Sequence, residues 1–213
     1  MKPFKVPGVD GLHFGLFERF WLIDGDSLWK VVKNIFSCEQ VQEYWNQTLI
    51  ALTPKQSGPE TVSEYRPISL SNTMYKILTK ILVQKIRPLL PSFISPMQAA
   101  FLAGRRGTDN VITAQELIYS LNKRKGSYGY MVVKIDLEKA YDRSEWSFVR
   151  MVLNHFGFLA NIINPIMSCI SSTSTVMLFN GNKLDPFQPT IGTRQGDPIS
   201  PYIFLLCIEL LGA

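Results

Sequence analysis

Apolar residues recur along this chain with two periods, and the period changes from one segment to the next. LHFGLFERFWLI (12–23) is dense in aromatic and aliphatic residues and predicts a short helix. DSLWKVVKNIF follows, with Asp26 or Ser27 as N-cap and Leu28, Val31, Val32, Ile35 and Phe36 along one face. TLIALTP (48–54) reads as a strand, and SGPET after it as a loop. SNTMYKILTKILVQKIRPLL starts from Ser71, a candidate N-cap. Its Tyr75, Leu78, Ile81, Leu82, Ile86 and Leu89 make an apolar stripe, with Lys76, Lys80 and Lys85 elsewhere on the surface.

The second half repeats the mixture. The basic, Gly-rich AGRRGTDN (103–110) leads into a helix from about Thr108 to Leu121, and NKRKGSYG then separates the two halves. GYMVV is apolar and β-branched, the pattern of a buried strand, and it delivers Asp136 at its carboxyl end. A helix is expected from Ser144 to Phe156 with Gly157 as its stop. TVMLFNGNKL carries an Asn-Gly hairpin signal. GTRQGDPISP is a loop before an apolar helix that runs to the last residue. Helices with a mostly antiparallel sheet give an α+β fold. No repeat or low-complexity tract interrupts it.

Composition narrows the class. Hydrophobic residues make up 46% and charged residues 18%, which describes a folded globular chain and not a disordered one. The net charge of +5 is uneven: residues 54–143 hold 14 Lys/Arg against 7 Asp/Glu, net +7, and the remainder is net −2. A basic half suits an anionic partner such as nucleic acid or nucleotide, and equally a solvated basic face. Cys38, Cys169 and Cys207 form no metal-finger spacing, and Cys169 and Cys207 lie in apolar, helix-like stretches expected to bury their thiols. His13 and His155 are isolated and read as packing or surface residues. The N-terminus lacks a signal-like apolar segment, and YIFLLCIELL is too short and broken by Glu209, so no membrane span is expected and an intracellular setting is.

Three places carry candidate chemistry. Asp136 is a hard oxygen ligand at a rigid strand end, suited to Mg²⁺, although many such residues are simply solvated. Tyr141, five residues on, could wall a bound sugar or belong to the core. In GTRQGDPISP, Gly192 and Gly196 allow close backbone approach and Gln195 offers donor and acceptor near a base. Lys55 and Arg66 supply the compact ammonium and the planar guanidinium that a triphosphate takes, or else are ordinary surface charges.

KVPGVDGLHFGLF, LTPK, EYRPISLSNTMYKILTKIL, SPMQAAFLAGRRGTDNV, KIDLEKAYDRSEW and GTRQGDPISPYIFLLCIELL occur in one order from about residue 5 to 213. That combination resembles the reverse transcriptases of LINE-type (non-LTR) retrotransposons, with plant members the nearest in pattern. The resemblance implies a right-hand polymerase: an N-terminal helical extension (1–46), fingers (47–127) and a partial palm (128–213), its mostly antiparallel sheet flanked by helices and the thumb absent. Asp136 matches the first metal-binding aspartate, with Leu137 supplying a backbone carbonyl. Tyr141 matches the aromatic that sits under the incoming sugar and disfavours ribonucleotides. Arg66 and Lys55 match triphosphate-holding residues, and Gln195 and Gly196 the loop that positions template and incoming base. Arg105 and Arg106 are placed at template phosphates. Implied partners are an RNA template, a DNA primer and dNTPs, with Mg²⁺ as cofactor, no membrane, a nuclear location and an oligomeric state left open.

The family's second metal-binding motif, aromatic-x-Asp-Asp, does not occur in these 213 residues, and neither does any Asp-Asp pair. The Mg²⁺ site is therefore expected to be incomplete in this chain. An open palm sheet and marginal stability are expected with it. Three readings stay open: a polymerase fragment that is inactive as it stands, a nucleic-acid-binding piece without chemistry, and a decayed open reading frame.

Overall fold

The computed structural model describes residues 3–38, 40–126 and 129–212, apart from the Cys38 side chain. Part of the NKRKGSYG separator, and with it the expected boundary at 127/128, lies outside the described residues. Helices α1 (Phe14–Arg19) and α2 (Trp21–Cys38) open the chain. Strands β1 (Gln47–Pro54) and β2 (Tyr65–Ser71) follow, then α3 (Thr73–Ile86), the short α4 (Leu90–Phe93) and α5 (Gly107–Lys123). Next come α6 (Trp146–His155), α7 (Ala160–Ser171), β3 (Ser174–Phe179), β4 (Asn182–Lys183) and α8 (Ser200–Gly212). The mixed α+β expectation therefore holds among the described residues.

The sheet runs β2–β1–β3–β4. β1 lies antiparallel to β2, Thr48 opposite Ser71 and Pro54 opposite Tyr65, and parallel to β3 over Gln47–Ile50. The β3–β4 hairpin turns at Asn180-Gly181, both with positive φ (48° and 80°), as the Asn-Gly signal requires. β2 had no signal in the pattern: Pro67 sits within it and alternation is weak, and its pairing with β1 sets it.

α3 is the central helix. Tyr75, Leu78, Leu82 and Ile86, spaced three or four apart, are all at or below 1% exposure and form one face of a single core. Burying each stabilises the fold by roughly 1.5–3 kcal/mol. Val149, Val152 and Leu153 of α6, Ile163, Ile166 and Ile170 of α7, and Ile203 and Leu206 of α8 join the same cluster. Leu89, expected on the α3 stripe, is 44% exposed, because the helix ends at Ile86 and the next turn presents Leu90 instead.

The start of α3 also differs from expectation. Its N-cap is Asn72, not Ser71, and the Asn72 side chain does not cap. Asp10 does so from the distant PGVDG loop: its Oδ2 accepts from Thr73 N (2.8 Å), while Asp10 N donates to Asn72 Oδ1 (3.1 Å). Thr73 Oγ1 donates to the Leu12 carbonyl and Lys76 Nζ to that of Val6. Gly8 packs so closely that a Cβ there would sit 2.5 Å from the Ser71–Asn72 backbone.

Two further expectations are corrected. α2 begins at Trp21, so neither Asp26 nor Ser27 caps it. The single Gly25, a cost of about 1 kcal/mol, does not break a helix whose Leu28, Val32 and Ile35 are buried. The GYMVV segment is not a buried strand. Residues 129–137 belong to no ladder, and Met131, Val133 and Ile135 are 84%, 64% and 78% exposed. A β-rich sequence favours an extended backbone, but a buried strand needs a neighbour to bond, and no described strand lies beside this one.

Two substitutions test this account. Leu82→Ala should cost about 2–5 kcal/mol in chemical denaturation, since the void falls at the centre of the cluster. Asp10→Ala should cost about 1–2 kcal/mol and raise amide exchange at Thr73, although Asp10 lies 63 residues from the helix it caps.

Candidate active site

The GTRQGDP loop ties three expected segments together. On one side Gly192 N donates to the Ser144 carbonyl (2.8 Å) and Thr193 N to the Tyr141 carbonyl (2.7 Å). Trp146 Nε1 adds a bond to the Gly192 carbonyl (2.8 Å). On the other side Ser69 N of β2 donates to the Gln195 carbonyl (3.0 Å). The crossing is close: Gly192 has φ +89°, and a Cβ there would meet the Asp142 carbonyl at 2.7 Å. Gln195 and Gly196, with φ +97° at Gly196, are exposed at the crest between β2 and the Tyr141 turn.

Tyr141 is half-buried, its ring tilted against Phe204 of α8 with centroids 5.1 Å apart, and burial pushes its hydroxyl pKa up. Arg66 lies on β2 opposite Thr53, exposed, its guanidinium without a hydrogen bond or ion pair to any described residue. Lys55 sits at the base of the β1–β2 turn, its Nζ donating to the Ser63 carbonyl (2.7 Å). Glu64 closes the same turn by accepting from the Glu60 and Thr61 amides (2.6 and 3.1 Å). Backbone bonds from Thr61 and Glu60, with Lys55 nearby, hold its carboxyl below the usual range.

The two arginines of GRRG differ. Arg105 donates Nη1 to the Ser95 and Gln98 carbonyls (2.5 and 2.6 Å) and Nη2 to that of Ile94 (3.2 Å), so its guanidinium braces the loop after α4. Arg106 is exposed at the start of α5.

Asp136 and Leu137 lie at the mouth of a cavity of about 590 Å³ whose apolar wall is Phe148, Phe204, Cys207, Ile208 and Leu211. Asp136 is exposed, and no group of three His, Cys, Asp or Glu side chains converges on a metal position among the described residues. One carboxylate and the adjacent carbonyl still suit Mg²⁺, which keeps several waters and takes phosphate oxygens from its substrate.

Sequence reasoning missed the groups beneath the loop. Arg194, Asp197 and Tyr75 form a buried cluster, with Arg194 Nη2 3.1 Å from Asp197 Oδ2 and its guanidinium 4.1 Å from the Tyr75 ring centre. Burial raises the Tyr75 pKa well above its ordinary value. The one available signal was an opposite-charge pair three residues apart in a glycine-bounded loop. Cys169 and Cys207 are buried free thiols as expected, and burial pushes them up to about 12 and about 11.

Comparison with known proteins places the chain in a family. The family described as reverse transcriptase (RNA-dependent DNA polymerase) matches residues 53–212. A 149 kDa protein of transposon TX1 from Xenopus laevis is 27% identical over 205 residues, 96% of this chain and 16% of the relative. The Pol polyprotein of the type-1 retrotransposable element R2 from Popillia japonica is 26% identical over 217 residues, 99% of this chain and 28% of the relative. The type-2 element from Drosophila melanogaster is 23% identical over 205 residues, covering 19% of that protein. The chain thus spans less than a third of the length of these relatives. With three quarters of its residues inside the family match, the chain belongs to the reverse transcriptase (RNA-dependent DNA polymerase) family, as a domain fragment of a non-LTR retroelement.

Proposed function

We propose that this chain is the nucleotide-holding part of an RNA-directed DNA polymerase, fingers over 47–127 and palm over 128–213, behind a helical extension over 1–46. The observation that carries the reading is the bridge made by the GTRQGDP loop, which joins β2, the strand of Arg66, to the Tyr141 turn through backbone bonds. A base-positioning dipeptide between a phosphate-binding strand and a sugar-facing aromatic is what templated nucleotide addition requires.

In this reading Arg66 binds the triphosphate bidentately, and Lys55 adds a point charge at the turn. Tyr141 stays neutral and presents its ring to the sugar. Gln195 and Gly196 meet the nascent base pair. Arg106 contacts template phosphate, whereas Arg105, held by three carbonyls, orients that loop. Asp136 and the Leu137 carbonyl would hold Mg²⁺, which when bound supplies charge for the attacking and leaving oxygens. RNA template, DNA primer and dNTPs are the partners, and the nucleus is the place of action. A plant-type source belongs to the same reading.

A second reading has its own support. Among the described residues no three ligating side chains converge at Asp136, while residues 54–143 carry a net +7, so this chain by itself could bind RNA without catalysing addition. Primer extension on an RNA template separates the two. Under the first reading, the complete retroelement polymerase that includes this segment extends the primer with Mg²⁺, falls to background in Asp136→Asn, and accepts more ribonucleotides in Tyr141→Ala. Under the second, no extension occurs, while RNA affinity falls with salt by a log–log slope of roughly −0.7 per phosphate contacted and is indifferent to Asp136→Asn. RNA affinity independent of salt would sink both.

A further inference from the structure

The GTRQGDP loop turns its charges inward. Arg194 and Asp197 have side chains only 10% and 1% exposed, while the uncharged Gln195 and Gly196 between them face out. Arg194 Nη1 donates to Asn46 Oδ1 (2.7 Å) and Thr48 Oγ1 (2.8 Å), and Nη2 to the Cys169 carbonyl (3.0 Å). Asp197 Oδ2 accepts from Tyr75 Oη (2.5 Å), and its Oδ1 accepts from Ile199 N (3.1 Å). The pair thereby reaches the start of β1, the first turn of α3 and the end of α7.

A buried ion pair is no more stabilising than apolar residues filling the same volume, because both charges lose their hydration. What it adds here is direction. A planar fork bonded to acceptors on two other segments and to its own loop has one orientation, and an aliphatic side chain has many. Both residues that flank Gln195–Gly196 are fixed in this way.

We propose that Arg194 and Asp197 are positioning residues that set the height and orientation of the Gln195–Gly196 crest between β2 and the Tyr141 turn, so that selection of the incoming nucleotide depends on them although neither touches it. The selection half rests on the polymerase reading above. The anchoring half does not, and it has its own readout.

Two amides report the anchoring directly: Ser69 N, bonded to the Gln195 carbonyl, and Thr193 N, bonded to the Tyr141 carbonyl. In Arg194→Lys a single ammonium replaces the fork. Hydrogen exchange at Ser69 and Thr193 should rise about tenfold or more, while amides of α3 and α8 change by less than about threefold. Asp197→Asn, which keeps shape and removes charge, should give the same local pattern and serves if Arg194→Lys fails to fold. Gln195→Ala should leave both amides as they are, because the bond uses the backbone carbonyl.

The functional readout is binding of matched against mismatched dNTP to the chain on a chain-terminated primer annealed to RNA, with Mg²⁺ present. Arg194→Lys should lower that ratio about tenfold while duplex affinity stays within about twofold. Unchanged exchange at Ser69 and Thr193, or an equal rise at every amide, overturns the anchoring. Altered exchange with an intact matched-to-mismatched ratio overturns the role in selection. A wild-type chain with the expected exchange pattern but no selection establishes the anchoring and refutes the polymerase reading.

Discussion

A guanidinium removed from water must find its partners inside the protein, and Arg194 finds them up to 148 residues away: Asn46 and Thr48 at the start of β1, Cys169 at the end of α7, and Asp197 in its own loop. Asn46 is itself held by the Cys169 carbonyl (2.8 Å) and Ser172 Oγ (2.9 Å), so the cluster is closed on several sides. Leaving any of these groups without a partner in the core would cost about 1–3 kcal/mol, and more for a charge. The cluster therefore assembles as a unit. The β1–β3 pairing, the end of α7 and the crest of the loop share one set of bonds.

The same logic operates at the start of α3. A helix start needs acceptors for its free amides, and here a carboxylate arrives from the N-terminal loop to supply one. Tyr75 lies in the first turn of that helix and reaches the Arg194–Asp197 pair. The docking of the PGVDG loop and the setting of the GTRQGDP loop are thus linked through a few residues of one helix.

The segment around Asp136 stands apart from this network. It is exposed and outside any ladder among the described residues, beside a cavity walled by α6 and α8. The GTRQGDP loop, by contrast, is tied down by the backbone bonds of residues 192–195. The Gln195–Gly196 crest is therefore held by the fold of this chain more firmly than the Asp136 segment is.

The sequence by itself determined the elements whose information is local. The 3.6-residue stripe of Tyr75, Leu78, Leu82 and Ile86, the Asn180-Gly181 turn, the stop at Gly157 and the apolar run of α8 all depend on neighbours a few residues away. The ordered motifs likewise identified the family and drew attention to Gln195 and Gly196. Only the tertiary structure decided what depends on partners far along the chain. β2 exists because β1 pairs with it, Asp10 caps a helix that begins at Thr73, and GYMVV, as β-prone as any strand here, finds no strand neighbour among the described residues. Arg194 shows the limit most plainly. In sequence it is one of many basic residues suited to solvent or phosphate, and its burial follows from acceptors that come together only when β1, α3 and α7 are packed.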